Sequence, residues 1–124
     1  MTMLLVGVGG FVGAIARYLV DVWAARVTGG SFPFGTLLIN VSGTLLLGFL
    51  FVAVVERAAL PSDLRAPVMI GFIGAYTTFS TWMLESLQLA EKGELATAIV
   101  NVGGSVALGI AAILLGVWLG RLTW

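Results

Sequence analysis

Uncharged hydrogen-bonding side chains recur at helical spacing in two parts of this sequence. Thr36, Asn40 and Thr44 lie four residues apart, as do Asn101 and Ser105, and Gly109 continues the second set. Residues spaced by four share one face of an α-helix, so each set forms a stripe. Donors without full charge can replace part of an ion's hydration shell without trapping it, which is the balance that conduction requires. The stretch GAYTTFSTW, Gly74 to Trp82, places the hydroxyls of Thr77, Thr78, Ser80 and Thr81 around two aromatic rings, Phe79 and Trp82. Ring edges carry partial positive charge, so an anion can approach them edge-on. Each feature also has a plainer reading. The stripes would tie helices together through hydrogen bonds worth about 0.6 kcal/mol each, and the rings would pack or face lipid. Ser42 and Thr97 are assigned to that plainer role. Asn40 is assigned to function, because an amide with two donors is hard to satisfy by packing alone.

The elements that must position these residues are legible from hydropathy. The chain is 60% hydrophobic and 10% charged, with a mean hydropathy of +1.11, too apolar for a soluble domain of this size. Charge-free runs extend from Val27 to Val55, Ala66 to Leu84 and Leu95 to Gly120, each able to supply the roughly 20 residues that cross a bilayer as a helix. A fourth candidate, Met3 to about Val27, carries Arg17, Asp21 and Arg26. The expected fold is an all-α integral membrane protein, one domain over residues 1–124 with four transmembrane helices. No basic segment precedes the first apolar run, so the first helix is expected to be retained rather than cleaved. The third helix is expected to break near its centre, where Gly74 precedes β-branched and hydroxyl residues. Backbone carbonyls freed at membrane depth need protein, water or an ion, and Na⁺ suits such oxygens.

Connections are short. Pro33 opens the second helix at a position where no backbone donor is needed, Pro67 fits the first turn of the third, and EKGE, Glu91 to Glu94, is a tight charged turn. The chain has 17 glycines, among them the GxxxG pair Gly9 and Gly13, read as sites where helix backbones approach closely in lipid. GVGGFVG, Gly7 to Gly13, is not a dinucleotide fingerprint, since Val12 stands where the third glycine belongs and no strand precedes it. Net charge is zero, which gives nucleic acid no electrostatic footprint. Arg57, Arg65 and Arg121 on one expected side nearly balance Arg26 and Lys92 on the other. Such weak bias lets a chain insert both ways and pair as an antiparallel dimer. Arg17 is the cation within a span and is assigned a structural role. Glu85 is either a gate or a residue at the water boundary. With no histidine and no cysteine, and no nucleophile–base pair, an enzyme is excluded.

The segments GGFVGAIARY, PFGTLLINVSGTLLLG, GFIGAYTTFSTW and NVGGS occur in the order and spacing of the Fluc (CrcB) family of fluoride channels, which this chain resembles over essentially its whole length. The resemblance implies four-helix subunits assembled as an antiparallel, dual-topology homodimer in the cell (inner) membrane. It also implies passive fluoride export that relieves fluoride toxicity, and a structural, untransported Na⁺ at the dimer centre. By position, that ion would take the backbone carbonyls of Gly74 and Thr77. The family's pore asparagine matches Asn40, its aromatic pair matches Phe79 and Trp82, and its polar track matches Thr36 and Ser105. Trp82 stands where the family carries a second phenylalanine, Gly74-Ala75 replaces the usual Gly-Gly, and Asn101 stands where some members have tyrosine. Two rivals remain. A small dual-topology proton-coupled multidrug exporter needs a buried carboxylate in its first helix, where this chain has Arg17 and only Asp21 near the end. A non-transporting scaffold held by glycine faces predicts no ion flux at all.

Overall fold

Residues 1–123 are described by a computed structural model, and among them every regular element is helical. α1 runs Thr2–Thr28 and stops at Gly29, whose φ of 74° supplies the left-handed cap that residues with a Cβ resist. α2, Phe34–Phe51, continues without interruption into a π-helical turn, Val52–Glu56. α3, Ser62–Ala66, a π-helical stretch, Pro67–Ile73, and α4, Gly74–Tyr76, form one continuous rod. After two extended residues, α5 runs Phe79–Glu91, and α6, Leu95–Thr123, completes the chain. The turn between them contains Gly93 at φ 83°.

Three of these rods, Thr2–Thr28, Phe34–Glu56 and Leu95–Thr123, are long and apolar enough to cross a membrane. The remaining helix of the expected set, third in chain order, is present in two pieces on either side of Thr77 and Thr78, so the expected break exists. Its position and start differ in detail from the sequence reading. Gly74 is helical, with φ −62° and ψ −34°, and the chain first becomes extended at Thr77, φ −77° and ψ 157°. The rod also begins at Ser62, so Pro67 lies inside it rather than in its first turn. Proline lacks the N–H that would reach back one turn, and its ring crowds the carbonyl there; the wider π-helical winding begins at this residue.

Glycines make the two main seams. A Cβ on Gly116 of α6 would collide with the carbonyl oxygen of Leu45 on α2, and one on Gly48 of α2 would strike the carbonyl of Ile113. The α1 pair behaves alike: Gly9 and Gly13 lie against the carbonyls of Pro67 and Phe72, while Gly71 answers against Val6. Lipid offers no hydrophobic drive between helices, so such close van der Waals contact is what holds them. Fully buried large side chains are few, chiefly Ile39, Val52 and Val54. Leu4, Phe11, Leu19 and Trp23 of α1 are exposed, as expected of a surface solvated by acyl chains. An Arg121–Glu56 ion pair at 2.6 Å closes one end of the α2–α6 seam.

Replacing Gly116 by valine is expected to abolish the monodisperse folded species on size exclusion in detergent. Gly7→Ala, whose Cβ would meet nothing within 4 Å, is expected to leave elution and melting temperature unchanged.

Candidate functional site

The site is organised by the interruption between α4 and α5. An unbroken helix would send the Thr78 amide to the carbonyl of Gly74. Instead Thr78 N–H donates to Asn40 Oδ1 at 2.8 Å, and Asn40 Nδ2 donates to the Thr78 carbonyl at 2.9 Å. One side chain thus satisfies both backbone groups of the extended residue, which lipid would leave unpaired. Thr78 in turn caps α5: its hydroxyl accepts from the Thr81 amide at 3.3 Å and donates to the Thr81 hydroxyl at 2.9 Å. Thr77 donates both its amide and its hydroxyl to the Ile73 carbonyl, each at 3.0 Å, closing the end of the rod. α2 follows the interruption residue by residue. Ser42 bonds the Tyr76 hydroxyl at 2.9 Å, Gly43 leaves room for the Thr77 methyl group, and Asn40 holds Thr78. Ser42 is therefore occupied in packing.

A groove of about 450 Å³ opens beside this junction, with Asn40, Phe79, Trp82 and Ser105 among its lining and no charged side chain in its wall. The α2 and α6 stripes therefore meet here, through Asn40 and Thr44 on one side and Ser105 and Gly109 on the other. Phe79 is 71% exposed. It meets Trp82 edge to face, with centroids 5.6 Å apart and planes at 71°. Asn40 Nδ2 carries two N–H bonds, and the Thr78 carbonyl takes one of them. The Ser105 hydroxyl is buried and has no partner among the described residues.

The other candidates lie elsewhere. Thr36, on the same stripe as Asn40, is buried and donates to Glu85 Oε1 at 2.9 Å. It lines a separate cavity of about 210 Å³ with Arg17, Asp21 and Thr81. Thr78 borders both that cavity and the groove. Glu85 also faces a polar recess of about 290 Å³ at the end of the bundle, with Asp21, Gln88 and Lys92. Arg17 is half-buried, and no ion pair engages it among the described residues. Asn101, four residues from Ser105, does not line the groove; it is buried against α5, donating to Ser86 Oγ at 2.9 Å. Gly74 is exposed, and a Cβ there would meet only the carbonyl oxygen of Met69, at 3.9 Å.

A profile of the family described as "CrcB-like protein, Camphor Resistance (CrcB)" matches residues 4–117, most of the chain. The chain belongs to the CrcB family. It is 47% identical over 121 residues to the "Fluoride-specific ion channel FluC" of Methylococcus capsulatus. That match covers 98% of this chain and 53% of the relative, so this chain spans about half of that protein's length. It is 46% identical over 113 residues to the "Fluoride-specific ion channel FluC 2" of Mycobacterium bovis, covering 91% and 86% of the two chains. Identity to the "Fluoride-specific ion channel FluC" of Acidobacterium capsulatum is 44% over 121 residues, 98% and 97% of the two. Family and helices together make this CrcB chain a multi-pass membrane protein, and its relatives carry the names of channels rather than enzymes.

Sequence reasoning left Ser86, Thr78 and Tyr76 out of the site. Ser86 was within reach, since it follows Trp82 by one helical turn. The pairing of Thr78 with Asn40 had no local signal. Asn40→Ala removes both bonds to Thr78 and leaves buried backbone groups unpaired, so a loss of about 2–4 kcal/mol is expected, read as a lower melting temperature and earlier denaturant midpoint in detergent.

Proposed function

We propose that this CrcB protein is a fluoride-selective channel that lets fluoride leave the cell passively across the inner membrane, relieving its toxicity. The observation that carries the reading is the uncharged groove at the helix junction, where Asn40, Ser105, Phe79 and Trp82 converge. The second Asn40 N–H and the Ser105 hydroxyl are donors that no partner among the described residues takes up. The ring edges add weak positive potential without a full cation that would arrest the ion. Thr36 and its neighbours around the smaller cavity continue the polar track beyond Thr78. A narrow, donor-lined path favours fluoride over the larger chloride. The names of the FluC relatives support the same reading.

The working unit in this reading is an antiparallel dual-topology homodimer. Its supports are the near balance of flanking arginines and lysines, and open glycines on α6 at Gly103, Gly104 and Gly109, where a second helix could approach. The junction fits a hard monovalent cation: diversion of the Thr78 amide to Asn40 frees the Gly74 carbonyl, and the available ligands are neutral oxygens. The Gly74 and Thr77 carbonyls of two subunits would hold Na⁺. That ion would supply fixed positive charge against converging carbonyl dipoles and would not itself be transported.

Purified protein in liposomes loaded with potassium fluoride is expected to release fluoride rapidly on addition of valinomycin, while chloride-loaded liposomes retain their anion. Asn40→Asp should abolish the flux, because it places negative charge in the groove and exchanges a donor for an acceptor beside the Thr78 carbonyl. Absence of flux from folded wild-type protein would transfer weight to the exporter or scaffold readings, and proton-driven dye uptake would single out the exporter. Tags on either terminus should be accessible from both sides of the membrane in one population of cells; a single orientation would overturn the antiparallel assembly.

A further inference from the structure

Trp82 introduces a group that a phenylalanine would not, an indole N–H. One more donor facing the groove, added to those of Asn40 and Ser105, would deepen the binding of an anion there and slow its departure. The N–H is instead directed to α6, where it donates to the backbone carbonyl of Asn101 at 3.2 Å. The Asn101 side chain donates from Nδ2 to Ser86 Oγ at 2.9 Å, and Ser86 Oγ donates to the Trp82 carbonyl at 2.8 Å. The three residues form a closed ring in which each donates once and accepts once. Asn101 is 1% and Ser86 8% exposed, so water does not compete for these bonds.

The ring has a cost that packing alone would avoid. With Nδ2 committed to Ser86, Asn101 Oδ1 is buried without a partner among the described residues, and an unpaired buried oxygen opposes folding. An apolar residue would join α5 to α6 without that penalty. The arrangement leaves Trp82 with its N–H turned away and only C–H edge and ring face toward Phe79 and the groove, at the 71° angle of the aromatic pair.

We propose that the Asn101 backbone carbonyl withdraws the Trp82 indole N–H from the groove, and that the Asn101 and Ser86 side chains are positioning residues that hold α5 against α6 so that this carbonyl stays within reach; tryptophan then acts in the groove as a neutral aromatic edge. The functional part rests on the fluoride-channel reading, in which the groove is the anion's path. Without the Asn101–Ser86 bond the carbonyl would no longer be held at hydrogen-bond distance from the indole, which would then swing and offer its N–H to the passing ion. Anion exit would then slow, and the preference for the smaller halide would fall.

Two measurements test this, and one does not depend on transport. In a protein whose only tryptophan is Trp82 (Trp23, Trp118 and Trp124 replaced by phenylalanine), Ser86→Ala should red-shift the emission and lower its anisotropy. Unchanged emission and anisotropy in a folded Ser86→Ala protein would overturn the lock, whether or not the wild type conducts fluoride. In liposomes, Ser86→Ala and Asn101→Leu should each slow fluoride efflux about 3- to 10-fold, the rate equivalent of one lost hydrogen bond, and raise the chloride-to-fluoride ratio. Both effects should vanish in a Trp82→Phe background, which has no N–H to control and should itself conduct fluoride. Effects that persist undiminished in the Trp82→Phe background would mean that Asn101 and Ser86 act on the pore or the packing directly, and would overturn their role through Trp82. Wild-type protein that conducts no fluoride, with the emission shift intact, would leave the lock standing and defeat the channel reading.

Discussion

Hydrocarbon offers no water to an unpaired amide, and this chain interrupts a helix in the middle of its membrane domain. Everything around the interruption answers that constraint. Asn40 supplies to Thr78 the acceptor and the donor that a neighbouring strand would otherwise provide, so two extended residues are tolerated without a sheet. The hydroxyl of Thr78 then starts α5, and the doubly bonded Ile73 carbonyl ends the rod before it. The interruption is a built joint in which the Thr77 amide and both backbone groups of Thr78 are paired, and the groove opens beside it.

A joint of this kind needs rigid walls, and glycine provides them. Gly43 is the point at which α2 comes close enough for Asn40 to reach Thr78, because a side chain there would occupy the position of the Thr77 methyl group. Farther along, Gly48 and Gly116 lock α2 to α6, while Gly13 and Gly71 lock α1 to the first half of the broken rod. The glycine that attracts attention as a helix breaker, Gly74, does not break the helix. It leaves an open surface beside carbonyls whose helical donors the joint has taken away. Small residues here have two distinct uses, close approach within the chain and clear space outside it.

Much of this was legible in the sequence. Charge-free length marked the spans, GxxxG marked a seam, and hydroxyl and aromatic residues marked the stretch where the third helix is interrupted. The break falls at Thr77 rather than Gly74, because propensity points to glycine whereas the deciding event is the capture of the Thr78 amide by a side chain on another helix. The stripes were correct as faces and incomplete as neighbourhoods. Thr36 shares a face with Asn40, yet one turn along α2 its neighbour is Glu85 of α5 rather than the groove. Asn101 shares a face with Ser105, yet it is buried under α5 while Ser105 reaches the groove. A helix face is crossed obliquely by its neighbours, so residues one turn apart can meet different elements.

The sequence by itself determined that the chain lives in a membrane, how many helices it forms, that one of them is interrupted, and which uncharged donors and rings are available. Those are properties of composition and short-range spacing, decided within a turn or two of the chain. Only the tertiary structure decided the pairings: Asn40 with Thr78 across 38 residues, Thr36 with Glu85 across 49, Trp82 with Asn101 across 19. Each depends on how far one helix is rotated and tilted against another. That is set by where the glycine seams let backbones touch, a sum over many contacts that no local stretch contains.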